Sequence, residues 1–229
     1  MSIELVVLDM AGTTVRDDDA VHICLQAALA GTGFSFTRDE VNDVMGIPKP
    51  SAIEILVSAR SGQPPAAVEV DRIHADFLRR MLAHYETGPD VGEIPGAAAT
   101  FEALRAAGAK VALDTGFSRP IVDAVLRRLG WIGRGLLDAT VASDEVARGR
   151  PAPDLIFRAM ELTGVKSAGA VAKVGDTPSD LQEGTAAGCG LVVGVTFGSH
   201  TRAQLAGHPH THLIDSLEEL PALLRGTVV

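Results

Sequence analysis

With 229 residues and a net charge of −9, the chain is long enough for one large or two small domains and lacks the basic footprint that nucleic-acid binding needs. No apolar run reaches the length of a membrane span, and the N-terminus leads into a strand without a basic segment and cleavage site. The two cysteines, Cys24 and Cys189, are far apart and in no metal-binding spacing, which fits reduced thiols in a cytoplasm better than a disulfide.

The run Ile3 to Leu8 is predicted as a short buried strand that delivers Asp9 to its carboxyl end, just ahead of the loop Ala11-Gly12-Thr13-Thr14. In a parallel sheet, ligands bind outside the carboxyl ends of the strands. The loop would offer backbone N–H groups and two hydroxyls to an anion there. On this segment alone, Asp9 is either a reacting carboxylate or a cap of the turn and the following helix.

Residues 16–90 read as helical throughout. Ala20 to Ala30 has helical apolar spacing, and Thr37 with Glu40 forms a capping box for a short helix to Met45. Gly46-Ile47-Pro48-Lys49-Pro50 reads as an extended break, because Pro48 and Pro50 disfavour helix before them. Ser51 then caps a helix over 52–61, and a long helix covers 66–86. Asp17-Asp18-Asp19 lacks the later ligands and central glycine of a calcium loop and reads as a solvated hinge.

From Val91 onward helices and strands alternate. Strands are predicted at Lys110–Asp114, Ala139–Ala142, Ala170–Val174, Leu191–Val195 and His212–Ile214. Helices are predicted at Ala97–Ala107, Pro120–Leu129, after Pro153 to Leu162, up to Ala187, and at Leu217–Leu224. This alternation argues for an α/β fold with a doubly wound parallel sheet. His208, His210 and His212 lie in a Gly/Pro loop running into the last strand and read as surface histidines; Trp131 reads as a core or cap contact.

Right-handed crossovers bring the carboxyl ends of the strands to one edge of the sheet. Asp9, Thr115, Arg150, Asp176 and Asp180 would meet there. Carboxylates from two strands suit Mg²⁺, which takes oxygen ligands and keeps several waters. Thr115 can donate to a phosphoryl oxygen, and Arg150 can neutralise charge developing on it. One aspartate could then attack phosphorus.

These residues, in this order, resemble the haloacid dehalogenase superfamily over almost the whole chain. Its four motifs correspond to Asp9–Thr13, Thr115, Arg150 and Gly175-Asp176-Thr177-Pro178-Ser179-Asp180. The resemblance implies a Rossmann-like core formed by 1–15 and 91–229, with 16–90 as a small, mobile, all-helical cap inserted after strand one. It implies that Asp9 is the nucleophile and Asp180 a supporting acid. Mg²⁺ would be held by Asp9, Asp176 and the Ala11 carbonyl. Gly12, Thr13 and Gly116 from the core, with Met45 and Gly46 from the cap, would contact a small phosphorylated or phosphonate substrate.

Most phosphatases of the superfamily carry a second Asp two residues after the nucleophile, where this chain has Ala11. Expelling an alkoxide without that acid is costly, since positioned acid–base groups contribute about 10²- to 10⁴-fold. Asp-Met-Ala-Gly-Thr-Thr resembles the phosphonatase branch, the phosphonoacetaldehyde hydrolases, in which carbon leaves phosphorus and an electron sink is needed instead. The branch makes that sink as an imine on a cap lysine following a Met-Gly pair, and Met45-Gly46-Ile47-Pro48-Lys49 puts Lys49 in the matching place. Three residues on, where the branch has a histidine, stands Ala52; its early cap cysteine corresponds to His22 or is displaced to Cys24.

The expectation is therefore a Mg²⁺-dependent, cytoplasmic hydrolase. It would cleave the phosphorus–carbon bond of phosphonoacetaldehyde or a related phosphonate through a lysine imine, and dimerise through the cap. A phosphatase of small phosphate esters is the first alternative, and a non-catalytic phosphate binder the second.

Overall fold

Short apolar runs separated by helical segments bury both faces of their strands, as parallel sheets require. In the computed structural model, which describes residues 2–226, six strands form one all-parallel sheet. They are β1 (Leu5–Asp9), β2 (Lys110–Asp114), β3 (Ala139–Val141), β4 (Val171–Gly175), β5 (Leu191–Val195) and β6 (His212–Ile214), in the order β3-β2-β1-β4-β5-β6. That order is the doubly wound one, with its reversal of direction between β1 and β4. Strands β2, β5 and β6 have the predicted bounds, and β1, β3 and β4 differ by one or two residues at their ends.

The two-residue repeat of the strands divides the core. Val6 and Leu8 of β1 face a cluster with Val111, Leu113, Val174 and Val193. Leu5 and Val7 face the other way, against Leu155, Ile156 and Ala159 of α7 (Asp154–Thr163). The remaining crossover and flanking helices are α5 (Ala97–Ala106), α6 (Arg119–Leu129), α8 (Pro178–Ala187), α9 (Arg202–Leu205) and α10 (Leu220–Gly226).

Between β1 and α5 lie four helices: α1 (Ala20–Leu29), α2 (Arg38–Asn42), α3 (Lys49–Ser61) and α4 (Ala67–Thr87). Their apolar faces share one cluster with the sheet, through Leu25, Ile53, Phe77 and Met81. The chain enters this insertion through left-handed Asp18 and Asp19, at φ 42° and 63°, a region that Asp tolerates better than most residues. Asp17 is not solvated as expected: its Oδ1 accepts from Val21 N, bracing the start of α1.

Four local expectations are corrected. The break around Pro48 is shorter than predicted, and Ser51 caps nothing: α3 begins at Lys49 with Pro48 as its N-cap, and Pro50 sits in its first turn. Proline is accepted there because the first helical N–H groups have no intrahelical partner. The short helix α9 was not predicted, although Thr201 and Gln204 form a capping box at its start. The preceding Thr37–Glu40 box is present as expected, but α2 ends at Asn42, short of Met45.

Candidate active site

The carboxyl ends of β1, β2 and β4 gather a dense set of buried charges. Asp9 and Asp114 are register partners on adjacent strands, and Asp176 follows β4 directly. The Arg150 guanidinium lies among four carboxylates. It donates to Asp9 Oδ1 at 2.6 Å, to Glu183 Oε2 at 2.9 Å and to Asp114, and stands 3.0 Å from Asp180 Oδ1. Lys173 Nζ pairs with Asp114, Asp180 and Glu183 from the other side. All of these side chains except that of Asp9 are fully enclosed.

Sequence reasoning missed Lys173, Asp114 and Glu183. The available signal was a lysine inside the otherwise apolar strand Val171-Ala172-Lys173-Val174. Removing one member of a buried ion network strands its partners, at a cost of about 3–5 kcal/mol. Lys173→Met is expected to lower the unfolding free energy by about that amount, measured by urea denaturation.

Asp9, Asp176 and Asp180 can each offer an oxygen within 4.8 Å of the others. A second trio, Asp114, Asp180 and Glu183, is equally close, but each of its members is paired with both Arg150 and Lys173, whereas Asp176 of the first trio is within ion-pair distance of neither and Asp9 of Arg150 alone. The first trio therefore fits a hard dication. Five buried carboxyl groups face two buried cations here, an excess of negative charge that a divalent ion would offset. Burial pushes Asp9 up to about 8; Arg150 opposes this, while Asp180 and Asp176 reinforce it. Burial and the Asp180 charge likewise raise Asp176. Asp180 is held low despite its burial, by Arg150 and Lys173.

Above Asp9 opens a cavity of about 300 Å³, lined by Asp9, Ala11, Gly12, Thr115 and Gly116 from the sheet edge and by Met45, Gly46 and Lys49 from the insertion. The sequence-picked residues thus divide into two groups. Those eight face the cavity, whereas Thr13, Arg150, Asp176 and Asp180 stand behind Asp9. Thr13 Oγ1 donates to Asp176 Oδ1 at 3.2 Å, and Thr14 Oγ1 to the Asp9 carbonyl at 2.8 Å. The N–H groups of Gly12 through Val15 are satisfied inside their own turn, so the loop offers fewer anion donors than expected. Thr115 Oγ1 accepts from Phe117 N, which leaves its hydroxyl proton for a ligand.

Glycine lets the insertion and core meet backbone to backbone. A Cβ on Gly46, at φ +80°, would lie 2.3 Å from Thr177 Oγ1 and 2.4 Å from Ser179 Oγ. One on Gly116 would lie 2.8 Å from the Ile47 carbonyl oxygen. Ser179 Oγ donates to the Met45 carbonyl across the same seam, at 3.0 Å.

Lys49 is 3% exposed and, among the described residues, has no carboxylate within ion-pair distance. Its Nζ stands 6.0 and 5.9 Å from the Phe77 and Phe117 ring centres. As the first residue of α3 it also sits at the positive end of a helix dipole, which disfavours a cation. Burial brings its ammonium down to about 8, and the Asp17 and Asp9 carboxylates keep it from falling further. Asp17, a cavity residue that sequence reasoning set aside, is itself raised to about 6 by burial, with its Val21 N–H bond opposing. Of the three histidines read as surface residues, His210 and His212 are exposed and His208 is half-buried, and none lines this cavity. Cys24 and Cys189 are free thiols, and no helix among the described residues is long and apolar enough to cross a membrane.

Comparison with known proteins agrees with this geometry. Residues 3–188 match the family model of haloacid dehalogenase-like hydrolases. A phosphonoacetaldehyde hydrolase of Bacteroides fragilis is 30% identical, across 97% of this chain and 96% of its own length. One of Bacillus cereus is 32% identical, across 87% and 78%. The crystal structure of a phosphonoacetaldehyde hydrolase-like protein from Oleispira antarctica superposes with a TM-score of 0.84 at 22% identity, covering 99% of this chain and 92% of that one. The chain belongs to the haloacid dehalogenase-like hydrolases, on their phosphonatase-like branch.

Proposed function

We propose that this enzyme cleaves the phosphorus–carbon bond of phosphonoacetaldehyde or a closely related aldehyde phosphonate, with Mg²⁺ as its cation. The observation that carries the reading is Lys49: an amine without a carboxylate partner, buried in the wall of the cavity that opens onto Asp9. The names of the relatives at 30–32% identity support the substrate class.

In this reading the Lys49 amine adds to the aldehyde carbon and expels water, giving a protonated imine. Asp9 Oδ attacks phosphorus, and the electrons of the breaking P–C bond pass into the imine to leave an enamine. Protonation of the enamine and hydrolysis return the amine and release the aldehyde, while water hydrolyses the aspartyl-phosphate on Asp9. Ala11 fits, because a carbon leaving group has no use for an acid aimed at oxygen. The Thr115 hydroxyl donates to the phosphoryl group. Arg150 holds Asp9 in line from behind.

Asp9, Asp176 and the Ala11 carbonyl would hold Mg²⁺, with Asp180 behind them. The ion supplies charge neutralisation between Asp9 and the incoming phosphonate. The helical insertion, 16–90, acts as the cap that closes the cavity. A homodimer joined through that cap is part of the proposal; Ile23 and Val68 are exposed apolar residues on its surface, 61% and 75% accessible.

The test is borohydride reduction in the presence of phosphonoacetaldehyde, followed by peptide mass analysis. An adduct on Lys49 supports the imine. Phosphate release from simple esters with no adduct would point instead to an ester phosphatase. Only the neutral amine attacks, so the initial trapping rate is expected to rise with pH and level off above about 8. Below that it should fall about tenfold per pH unit.

A further inference from the structure

A directed chain of hydrogen bonds, part-buried at Ser199 and buried beyond His200, runs from the Asp176 carboxylate into the helical insertion. Asp176 Oδ2 accepts from both Ser199 N and Ser199 Oγ at 2.7 Å. Ser199 Oγ is 3.0 Å from His200 Nδ1, His200 Nε2 is 3.2 Å from Asn42 Nδ2, and Asn42 Oδ1 is 3.0 Å from His22 Nε2. Asn42 ends α2 and His22 lies on α1, whereas Ser199 and His200 belong to the loop after β5. His22, Asn42 and His200 are at most 7% exposed.

The carboxylate sets the direction of every link. A cation-bound Asp176 is ionised and only accepts, so the Ser199 hydroxyl then donates to Asp176 and accepts from His200 Nδ1–H. Neutral His200 then presents its Nε2 lone pair to the Asn42 amide N–H. The Asn42 carbonyl in turn accepts from His22 Nε2–H. Burial lowers both histidines, the direction that favours the neutral imidazoles of this scheme.

We infer that Asn42 and His200 are positioning residues that hold the Ser199 hydroxyl in its donor orientation on Asp176 only while the insertion is seated on the core. Cation binding at Asp176 and seating of the insertion are then thermodynamically linked, each favouring the other. The inference rests on Asp176 as a cation ligand and is independent of the substrate and of the imine.

The experiment is calorimetric titration of the full chain with Mg²⁺ in the absence of substrate, with thermal unfolding to confirm that each variant folds. Asn42→Ala and His200→Ala are expected to weaken Mg²⁺ binding by about fivefold or more. Asn42→Leu keeps the shape but has no N–H to give His200 Nε2, which leaves the His200 tautomer unset. It adds no charge, so weaker binding in this variant reports the relay and not the field. Hydrogen exchange gives a second readout: Mg²⁺ should slow exchange over 38–49 in the wild type and not in the three variants. Affinities within about twofold of wild type in the folded alanine variants, or in folded Asn42→Leu, would overturn the inference. Absence of Mg²⁺ binding by the wild type would overturn it together with the metal reading, whereas absence of a Lys49 adduct would overturn the imine alone.

Discussion

Asp9→Asn is expected to lower phosphate release from phosphonoacetaldehyde by about 10⁴- to 10⁶-fold, the scale seen when a nucleophile is removed, while borohydride trapping on Lys49 persists. The amide is nearly isosteric, and its carbonyl still accepts from Arg150. What it lacks is a nucleophilic oxygen. The two halves of the chemistry sit on different elements, Asp9 at the end of β1 and Lys49 at the start of α3, so the imine can form without the P–C bond breaking. The Asp9 charge is one of those that support the Lys49 ammonium, so the pH profile of trapping should also move to lower pH in the variant. Phosphate assay and peptide mass analysis on one preparation would check both. Persistent turnover would remove Asp9 from the nucleophile role.

Lys49→Arg is expected to abolish the reduced adduct and to lower turnover of the aldehyde phosphonate by at least about 10³-fold. A guanidinium cannot become neutral in a protein, whatever its burial, and so cannot form an imine. Methyl or ethyl phosphonates that lack the aldehyde should be inert with wild type and variant alike. A variant that retained full turnover without an adduct would show that carbon leaves by another route.

Much of the fold was legible because the sequence punctuates itself. Lys110–Asp114 and Leu191–Val195 are apolar runs bounded by glycine, and the structure ends them where they were predicted to end. The Asp9, Thr115, Arg150 and Asp176 strand ends were legible for the same reason, since each follows such a run or the loop that closes it.

Three features were not legible, each for a physical reason. Pro50 was read as a breaker, although proline in the first turn of a helix gives up no hydrogen bond; this hid the helix end that disfavours charge on Lys49. Asn42 and His200 are 158 positions apart, so no local pattern joins them. Asp17 was judged by its acidic neighbours, whereas the left-handed turn at Asp18 and Asp19 puts it on the cavity wall.

At two points the seam between insertion and core closes on a glycine, Gly46 against the Thr177 and Ser179 hydroxyls and Gly116 against the Ile47 carbonyl. Joining two surfaces through lysine, arginine or glutamate fingers would freeze several rotatable bonds per contact, at about 1.5–2 kcal/mol for each long side chain immobilised. A glycine seam has no such rotamers to surrender. Parting the surfaces at these two glycines would therefore release, and rejoining them would cost, little conformational entropy from the glycine side.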